Sequence, residues 1–279
     1  NCLKGCDAMD LPVLYNEAEE WNYCLMLYNA ALKELNTKLE ILNNEFKLAH
    51  QYNPIEHITY RIKTPKSIAK KLMRYGKEVN IENIIKYIND VAGIRIICSF
   101  VSDIYRIANL IKKMSDIKVL KIKDYIANPK PNGYTSYHMI VSVPVCLSNI
   151  TVDTKVEIQI RTIAMDVWAS LEHKICYKFE GEAPEHIQKE LKECSELLAY
   201  LDRKMLSLSR EIQNYSPHPV NSYNYDTKYK SPVIESIGTI VDESKSDNIV
   251  DVGSDNSKKK EKKEKKQAGK NRFLFGFGI

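Results

Sequence analysis

The sequence predicts an α/β chain in which short helices and strands alternate between two long amphipathic helices. Two observations carry that prediction. Apolar residues recur at three- and four-residue spacing in a segment near each end, and Val91 to Phe100 (VAGIRIICSF) is an almost unbroken aliphatic, largely β-branched run. The first periodic segment puts Leu25, Tyr28, Leu32, Leu35, Leu39, Leu42 and Phe46 on one stripe; the second does the same with Ile187, Leu191, Cys194, Leu198, Leu201, Met205, Leu208 and Ile212. Each reads as a long helix with an apolar seam, to be closed by its own domain or by another subunit.

Between them, Thr64 to Tyr75 predicts a helix with Pro65 in its first turn, where a missing N–H does no harm. Ile81 to Asn89 predicts a second, short helix. Val91 to Phe100 is a central strand, since a strand covered on both faces needs no polar alternation. Asp103 to Met114 is helical and Val119 to Tyr125 a strand. Asn128 to Gly133 (NPKPNG) is a turn dense in chain breakers. Tyr134 to Val145 and Lys155 to Arg161 are further strands, and Ile163 to Phe179 is a helix. From Asn214 the composition shifts to Ser, Asn, Asp, Tyr and Pro, then to a Lys/Glu run. The expected plan is a leader over 1–20, a folded domain over 21–213 and a disordered tail over 214–279.

The net charge of +5 is concentrated in that tail: Lys258 to Arg272 holds eight Lys and one Arg against Glu261 and Glu264, which leaves the remainder of the chain at about −2. Bulk charge therefore does not mark the folded part as a nucleic-acid binder, and any basic site in it must be local. The tail reads first as a solvated charge run, with RNA or acidic lipid as the contacts its lysines would suit. No stretch approaches the roughly 20 apolar residues of a membrane span, and the start has no signal-peptide pattern. Seven scattered cysteines offer no zinc spacing; Cys2 and Cys6 lack a nearby His or second pair, while Cys98 and Cys146 sit in apolar runs as small buried hydrophobes. A reducing cytoplasm is the simplest compartment.

The most informative strand for chemistry is Lys155 to Arg161 (KVEIQIR). Alternation puts Val156, Ile158 and Ile160 on one side and Lys155, Glu157, Gln159 and Arg161 on the other. A solvated sheet face explains that pattern, and so does a polar site, because four such groups are expensive to bury without partners. Asp90 stands where a helix meets the Val91 strand, a usual place for a cap. If the two strands are neighbours, Asp90 and Glu157 converge, and two carboxylates with substrate phosphates are a common magnesium set suited to phosphoryl transfer. Arg61, Lys63, Lys70, Lys71 and Arg74 cluster before and along one helix, either as an ordinary exposed face or as a polyphosphate site. The stiff turn before Tyr134 offers Lys130 and Asn132, with His138 four residues beyond the Tyr: an amide for a base edge, a ring for stacking, cations for phosphate. The chain has no P-loop, no G-x-G-x-x-G, no G-x-S-x-G and no H-E-x-x-H.

Taken in order, Tyr60 to Leu72 (YRIKTPKSIAKKL), Asn89 to Arg95 (NDVAGIR), Asp124 to His138 and Val156 to Thr162 (VEIQIRT) resemble the RelA/SpoT synthetase domain, and Ala164 to Lys174 with Tyr177 and Lys178 looks most like that family's small, single-domain members. The resemblance runs from about residue 20 to 212. It implies a mixed β-sheet flanked by helices, related to nucleotidyltransferases, and synthesis of ppGpp or pppGpp in the cytoplasm by transfer of a pyrophosphoryl group from ATP to the 3′-hydroxyl of GTP or GDP. It further implies that Arg61 and Arg95 sandwich the adenine, with Lys63, Lys71 and Arg74 on the ATP phosphates and Ser67 nearby. Asp90 and Glu157 would hold Mg²⁺, with Glu157 also helping to deprotonate the acceptor. Tyr134 would stack on guanine, Asn132 read its edge, Lys130 and His138 meet the acceptor phosphates and Gln159 support that region. Small family members resemble homotetramers, which the helical seams suit; a regulatory effect of (p)ppGpp is left open. Thr135 stands where family members often carry Arg or Gln, so acceptor preference is open too. No His- and Asp-rich hydrolase region precedes residue 20, so hydrolysis is not expected. Two other classes remain: a related phosphotransferase with a different acceptor, and an inactive oligomeric protein that binds RNA or a partner.

Overall fold

In the computed structural model, residues 17–49, 52–176 and 183–215 are described. The expected leader, apart from its last four residues, and the expected tail beyond Tyr215 lie outside them. In chain order the elements are α1 (Glu17–Ala49), β1 (Ile55–Ile62), α2 (Pro65–Arg74), α3 (Ile81–Tyr87), β2 (Ala92–Cys98), α4 (Val101–Lys113), β3 (Lys118–Asp124), β4 (Tyr137–Cys146), β5 (Thr151–Thr162), α5 (Ile163–Cys176) and α6 (Glu185–Gln213). The strands form one sheet in the order β1-β2-β5-β4-β3. Only β2 and β5 run parallel; the other pairs are antiparallel, so the sheet is mixed, as the resemblance implied.

The core follows from the alternation of the two central strands. Ile94, Ile96, Ile158, Ile160, Met139 and Val141 are essentially inaccessible to solvent, and α1 and α4 pack on the sheet. The α1 stripe is spent here: Tyr28, Leu32, Leu35, Leu39 and Phe46 are all buried against the chain's own sheet. The α6 stripe is not, since Leu201, Met205, Leu208 and Ile212 are exposed, as are Ile163, Val167, Leu171 and Ile175 along α5. Periodicity alone does not separate a helix that closes its own core from one that presents a seam outward.

Three expectations are corrected. The sequence reading assigned no element between Phe46 and Thr64, where β1 forms. That strand is an edge with a register irregularity between Ile55 and His57, and most of it is exposed, so its apolar alternation is weak. The strand expected from Tyr134 begins at Tyr137, because the turn continues: the Lys130 N–H donates to the Tyr134 carbonyl (3.1 Å) and the Gly133 N–H to the Lys130 carbonyl (2.9 Å). Cys146, expected inside, is exposed at the end of β4, whereas Cys98 is buried. Helix α2 begins as expected, with Pro65 in its first turn and the Thr64 hydroxyl accepting from the Ser67 N–H (3.3 Å).

Leu35, at the centre of the buried α1 stripe, tests this packing. Leu35→Ala is expected to destabilise the chain by about 2–5 kcal/mol in denaturant titration. A loss below about 1 kcal/mol would mean that α1 is not fastened to the sheet as described.

Candidate active site

The face of the sheet opposite α1 is polar. The register pairs Arg61 with Gly93, Thr59 with Arg95, Gly93 with Glu157 and Arg95 with Gln159; β4 continues it with His138 opposite Gln159 and Ile140 opposite Glu157, and β3 adds Lys123 opposite His138 and Lys121 opposite Ile140. Because side chains alternate strictly, these registers bring Arg61, Arg95, Glu157, Gln159, His138 and the β3 lysines to one side. Asp90 joins them from just before β2, where the Lys63 N–H donates to the Val91 carbonyl at 2.8 Å.

Two cavities share a wall on this face. One of about 220 Å³ is lined by Arg61, Arg95, Gly93 and Gln159 as well as Asp90 and Glu157. The other, about 130 Å³, is lined by Lys71, Lys121, Lys123, His138, Tyr75 and Tyr87, again with Asp90 and Glu157. The two carboxylates, 67 positions apart in sequence, therefore form the partition between an arginine-lined and a lysine-lined compartment.

Each carboxylate is held by named partners. Asp90 receives Lys71 Nζ at 2.8 Å on Oδ1 and Lys63 Nζ at 2.9 Å on Oδ2. Burial alone would raise its pKa, but those two hydrogen bonds and the charges behind them outweigh burial and lower it. Glu157 has Gln159 Nε2 at 2.9 Å on Oε2 and His138 Nδ1 3.4 Å from Oε1. Burial again acts upward, with Asp90 a lesser upward influence, and His138 and Gln159 bring the net shift below the ordinary carboxylate value. Both groups are thus ionised at neutral pH. Arg95 Nη1 meets Asp166 of α5 at 3.2 Å.

The turn before β4 is built onto this face and onto α6. Gly133 has φ +89°, the left-handed region, and a Cβ there would stand 2.8 Å from the Cβ of Ser195. The Ser195 hydroxyl donates to the Gly133 carbonyl at 2.5 Å, so the turn hangs from α6. Asn132 Oδ1 accepts from the Tyr134 N–H (3.2 Å), which orients the side-chain amide. The Tyr134 hydroxyl lies 2.8 Å from His138 Nε2, and Lys130 Nζ stands 4.7 Å from the Tyr134 ring centroid and 5.0 Å from that of Tyr125.

Of the residues expected from sequence, Arg61, Lys71, Asp90, Arg95, His138, Glu157 and Gln159 line these two cavities. Lys63 reaches them through Asp90, and Tyr134 through His138. Ser67 and Arg74 line neither: the Ser67 hydroxyl is 2.9 Å from that of Thr64 at the start of α2, and Arg74 rests 5.7 Å from the Tyr75 ring centroid. Lys130 and Asn132 border a separate cleft against the first turns of α6, with Lys189 and Lys192 opposite. Sequence reasoning missed Lys121 and Lys123, whose signal is the alternation of lysines along β3, and gave no role to Arg161 or Asp166, which make no recognisable spacing.

Asp90 and Glu157 fit a hard divalent cation: two ionised carboxylates in one wall, with room left for phosphate oxygens. Among the described residues no cluster of three or more His, Cys, Asp or Glu side chains offers a closed metal cage, so phosphates or water would have to complete the shell.

This fold and this double basic compartment define a nucleotide-handling domain, and comparison with known proteins says which. The sequence model of the region found in RelA/SpoT proteins matches residues 60–182. GTP pyrophosphokinase YwaC of Bacillus subtilis is 48% identical over 209 residues, 73% of this chain and 100% of that protein. GTP pyrophosphokinase YjbM of the same organism is 36% identical over 195 residues, 70% of this chain and 91% of that one. The crystal structure of small alarmone synthetase 2 from Bacillus subtilis matches with a TM-score of 0.63 at 49% identity, covering 69% of this chain and 99% of that one. Small alarmone synthetase 1 from Bacillus subtilis, bound to its product pppGpp, matches at 0.65 and 35% identity, covering 70% and 99%. The chain belongs to the RelA/SpoT family, and it is similar to that family's small alarmone synthetases over nearly their whole length.

Two experiments check the geometry. Gly133→Ala would force a side chain into the left-handed region and against Ser195, and should destabilise by about 1–3 kcal/mol; an unchanged Tm would contradict the contact with α6. Asp90 has a folded pKa below its unfolded value of about 3.9. Its contribution is therefore present above that value and lost as pH falls through the lower folded one. Asp90→Asn should flatten the acid limb of a Tm-against-pH profile of the nucleotide-free protein, and an identical limb would refute the pairing with Lys63 and Lys71.

Proposed function

We infer that the chain is a (p)ppGpp synthetase that transfers the pyrophosphoryl group of ATP to the 3′-hydroxyl of GTP or GDP and releases AMP. The observation that carries this is the shared wall of Asp90 and Glu157 between two cationic compartments, on a chain that spans GTP pyrophosphokinases almost end to end. The arginine compartment suits a purine between two guanidinium planes, Arg61 and Arg95. The lysine compartment suits phosphates, and Tyr134 supplies a ring for guanine, whose O6 and N7 accept from the Asn132 amide nitrogen. A purine stacked on the Tyr134 face that Lys130 covers displaces that ammonium, which then becomes available to phosphate.

The chain's own residues account for positioning and proton movement. The acceptor 3′-oxygen attacks the β-phosphorus of ATP; the new O–P bond forms as the bond from the β-phosphorus to the α–β bridging oxygen breaks, and AMP leaves with that oxygen. Glu157, ionised and backed by Gln159 and His138, stands at the compartment boundary to accept the hydroxyl proton. Lys63 and Lys71 hold Asp90 while no nucleotide is bound and are placed to turn toward the donor phosphates. Magnesium, held by Asp90 and Glu157, would neutralise charge developing on the transferred group. The bare apolar stripes of α5 and α6 support self-association, as a homotetramer in this reading, and the five free cysteines among the described residues agree with a reducing cytoplasm. No described helix is long and apolar enough to cross a membrane. This reading also includes an effect of (p)ppGpp on its own synthesis and RNA contact through the Lys-rich run from Lys258 to Arg272.

The decisive assay incubates the full chain with ATP, Mg²⁺ and GTP, GDP or GMP, with and without added pppGpp, and separates the nucleotides. Expected is AMP release only when a guanosine acceptor is present. Glu157→Gln should lower kcat at least a hundredfold with the fold intact, and Tyr134→Ala should raise acceptor KM in line with a stacking loss of about 1–3 kcal/mol. AMP release independent of guanosine, or wild-type rates in Glu157→Gln, would overturn the assignment.

A further inference from the structure

Arg161 is the most deeply buried cation described, 4% exposed, and it lines neither of the two cavities. A guanidinium so placed demands partners, and its own are specific. Nη1 meets Asp166 at 3.0 Å, and Nε donates to the Ser136 hydroxyl at 3.4 Å. Nη2 donates in two directions: to the Tyr134 hydroxyl at 2.7 Å and to Gln159 Oε1 at 3.0 Å.

Following the two arms outward brings both to the same carboxylate. Arg161 has no acceptor, so the Tyr134 oxygen accepts from it and the phenolic hydrogen is left for His138 Nε2, 2.8 Å away. In the neutral imidazole the remaining proton is then on Nδ1, which faces Glu157 Oε1 at 3.4 Å. On the other arm, Gln159 accepts from Arg161 through Oε1, which orients its Nε2 toward Glu157 Oε2 at 2.9 Å. The five side chains close a ring in which every donor direction originates at Arg161 and ends on Glu157.

We propose that Arg161 is a positioning residue for the transfer reaction: without touching substrate, it closes this ring and so fixes the Tyr134 ring plane, the His138 tautomer and the Glu157 carboxylate as one unit. Its counter-ion Asp166 also pairs with Arg95, so that two neighbouring guanidiniums share one carboxylate. Lysine cannot replace this arginine, because a point ammonium lacks the planar fork that addresses Asp166, Tyr134 and Gln159 together. The inference rests on the synthetase reading above.

The test compares wild type, Arg161→Lys, Tyr134→Phe and the double variant, all as full chains. Each is measured for kcat, acceptor KM, ATP KM and Tm, and the His138 tautomer is read from imidazole ¹⁵N shifts in the nucleotide-free protein. Tyr134→Phe keeps the stacking ring and removes only the hydroxyl, so it remains informative even where Arg161→Lys folds poorly. Expected for each single variant is a loss of about tenfold or more in kcat/KM for the acceptor, ATP KM within about twofold, and a loss of the Nδ1–H tautomer. The double variant should be no worse than the poorer single, since both cut the same ring. Multiplicative losses in the double variant, an unchanged tautomer, or acceptor and ATP parameters falling together with Tm would overturn the proposal. A wild-type chain that makes no guanosine product while showing the ring and its tautomer would instead sink the parent reading and leave the ring standing.

Discussion

The alternation of side chains along β5 is the constraint on which the rest of the molecule depends. Over six residues, Val156, Ile158 and Ile160 enter the core while Glu157, Gln159 and Arg161 lie on the polar face. A one-residue slip in register would exchange the two sets, burying charges under α1 and turning isoleucines toward the two polar cavities. Because β5 is central in the sheet, paired with β2 from Val156 to Thr162 and with β4 from Thr151 to Ile160, that slip is opposed by β2 and β4 together. Stability and chemistry are therefore secured by the same hydrogen-bond ladder.

Around that strand the charges are organised so that the resting protein leaves little buried charge uncompensated. Asp90 is paired with two lysines, Arg161 and Arg95 share Asp166, and Glu157 has the Gln159 amide with His138 alongside. Buried polar groups of this kind are costly when half satisfied, which explains why the first turn of α5 is fastened so closely: the Thr162 hydroxyl accepts from the Met165 N–H at 3.2 Å and donates to Asp202 of α6 at 2.6 Å. That cap sets the helix, and the helix delivers Asp166 back to the sheet.

Much of this was legible in the sequence. The continuous apolar run of β2 and the 2-residue period of β5 are strong signals, and once the strands are taken as neighbours Asp90 and Glu157 must approach each other. The α2 lysines announced themselves by helical spacing and by Pro65. What escaped did so for physical reasons. Strand β1 is a mostly exposed edge and so lacks the apolar period that marks a strand. Tyr134 reaches the site from a turn rather than from strand alternation, so its partnership with His138 followed from even spacing for the wrong geometric reason. Arg161 was seen on the correct face, but its role depends on four partners from β5, α5 and the turn before β4, and no local pattern encodes such a meeting. The divergence of α1 and α6, one seam buried and one bare, is likewise a property of the assembled sheet.

The hook between Ser195 and the Gly133 carbonyl carries one more implication. Pocket-forming turns usually borrow their rigidity from the sheet that bears them; this one borrows from a 29-residue helix whose outer side is uncovered. Whatever damps the motion of that helix also damps the turn, and under the proposed guanosine-binding role of the turn it lowers the entropy surrendered on binding. Grip strength is thereby tunable at a distance, by quieting a scaffold rather than by reshaping a pocket.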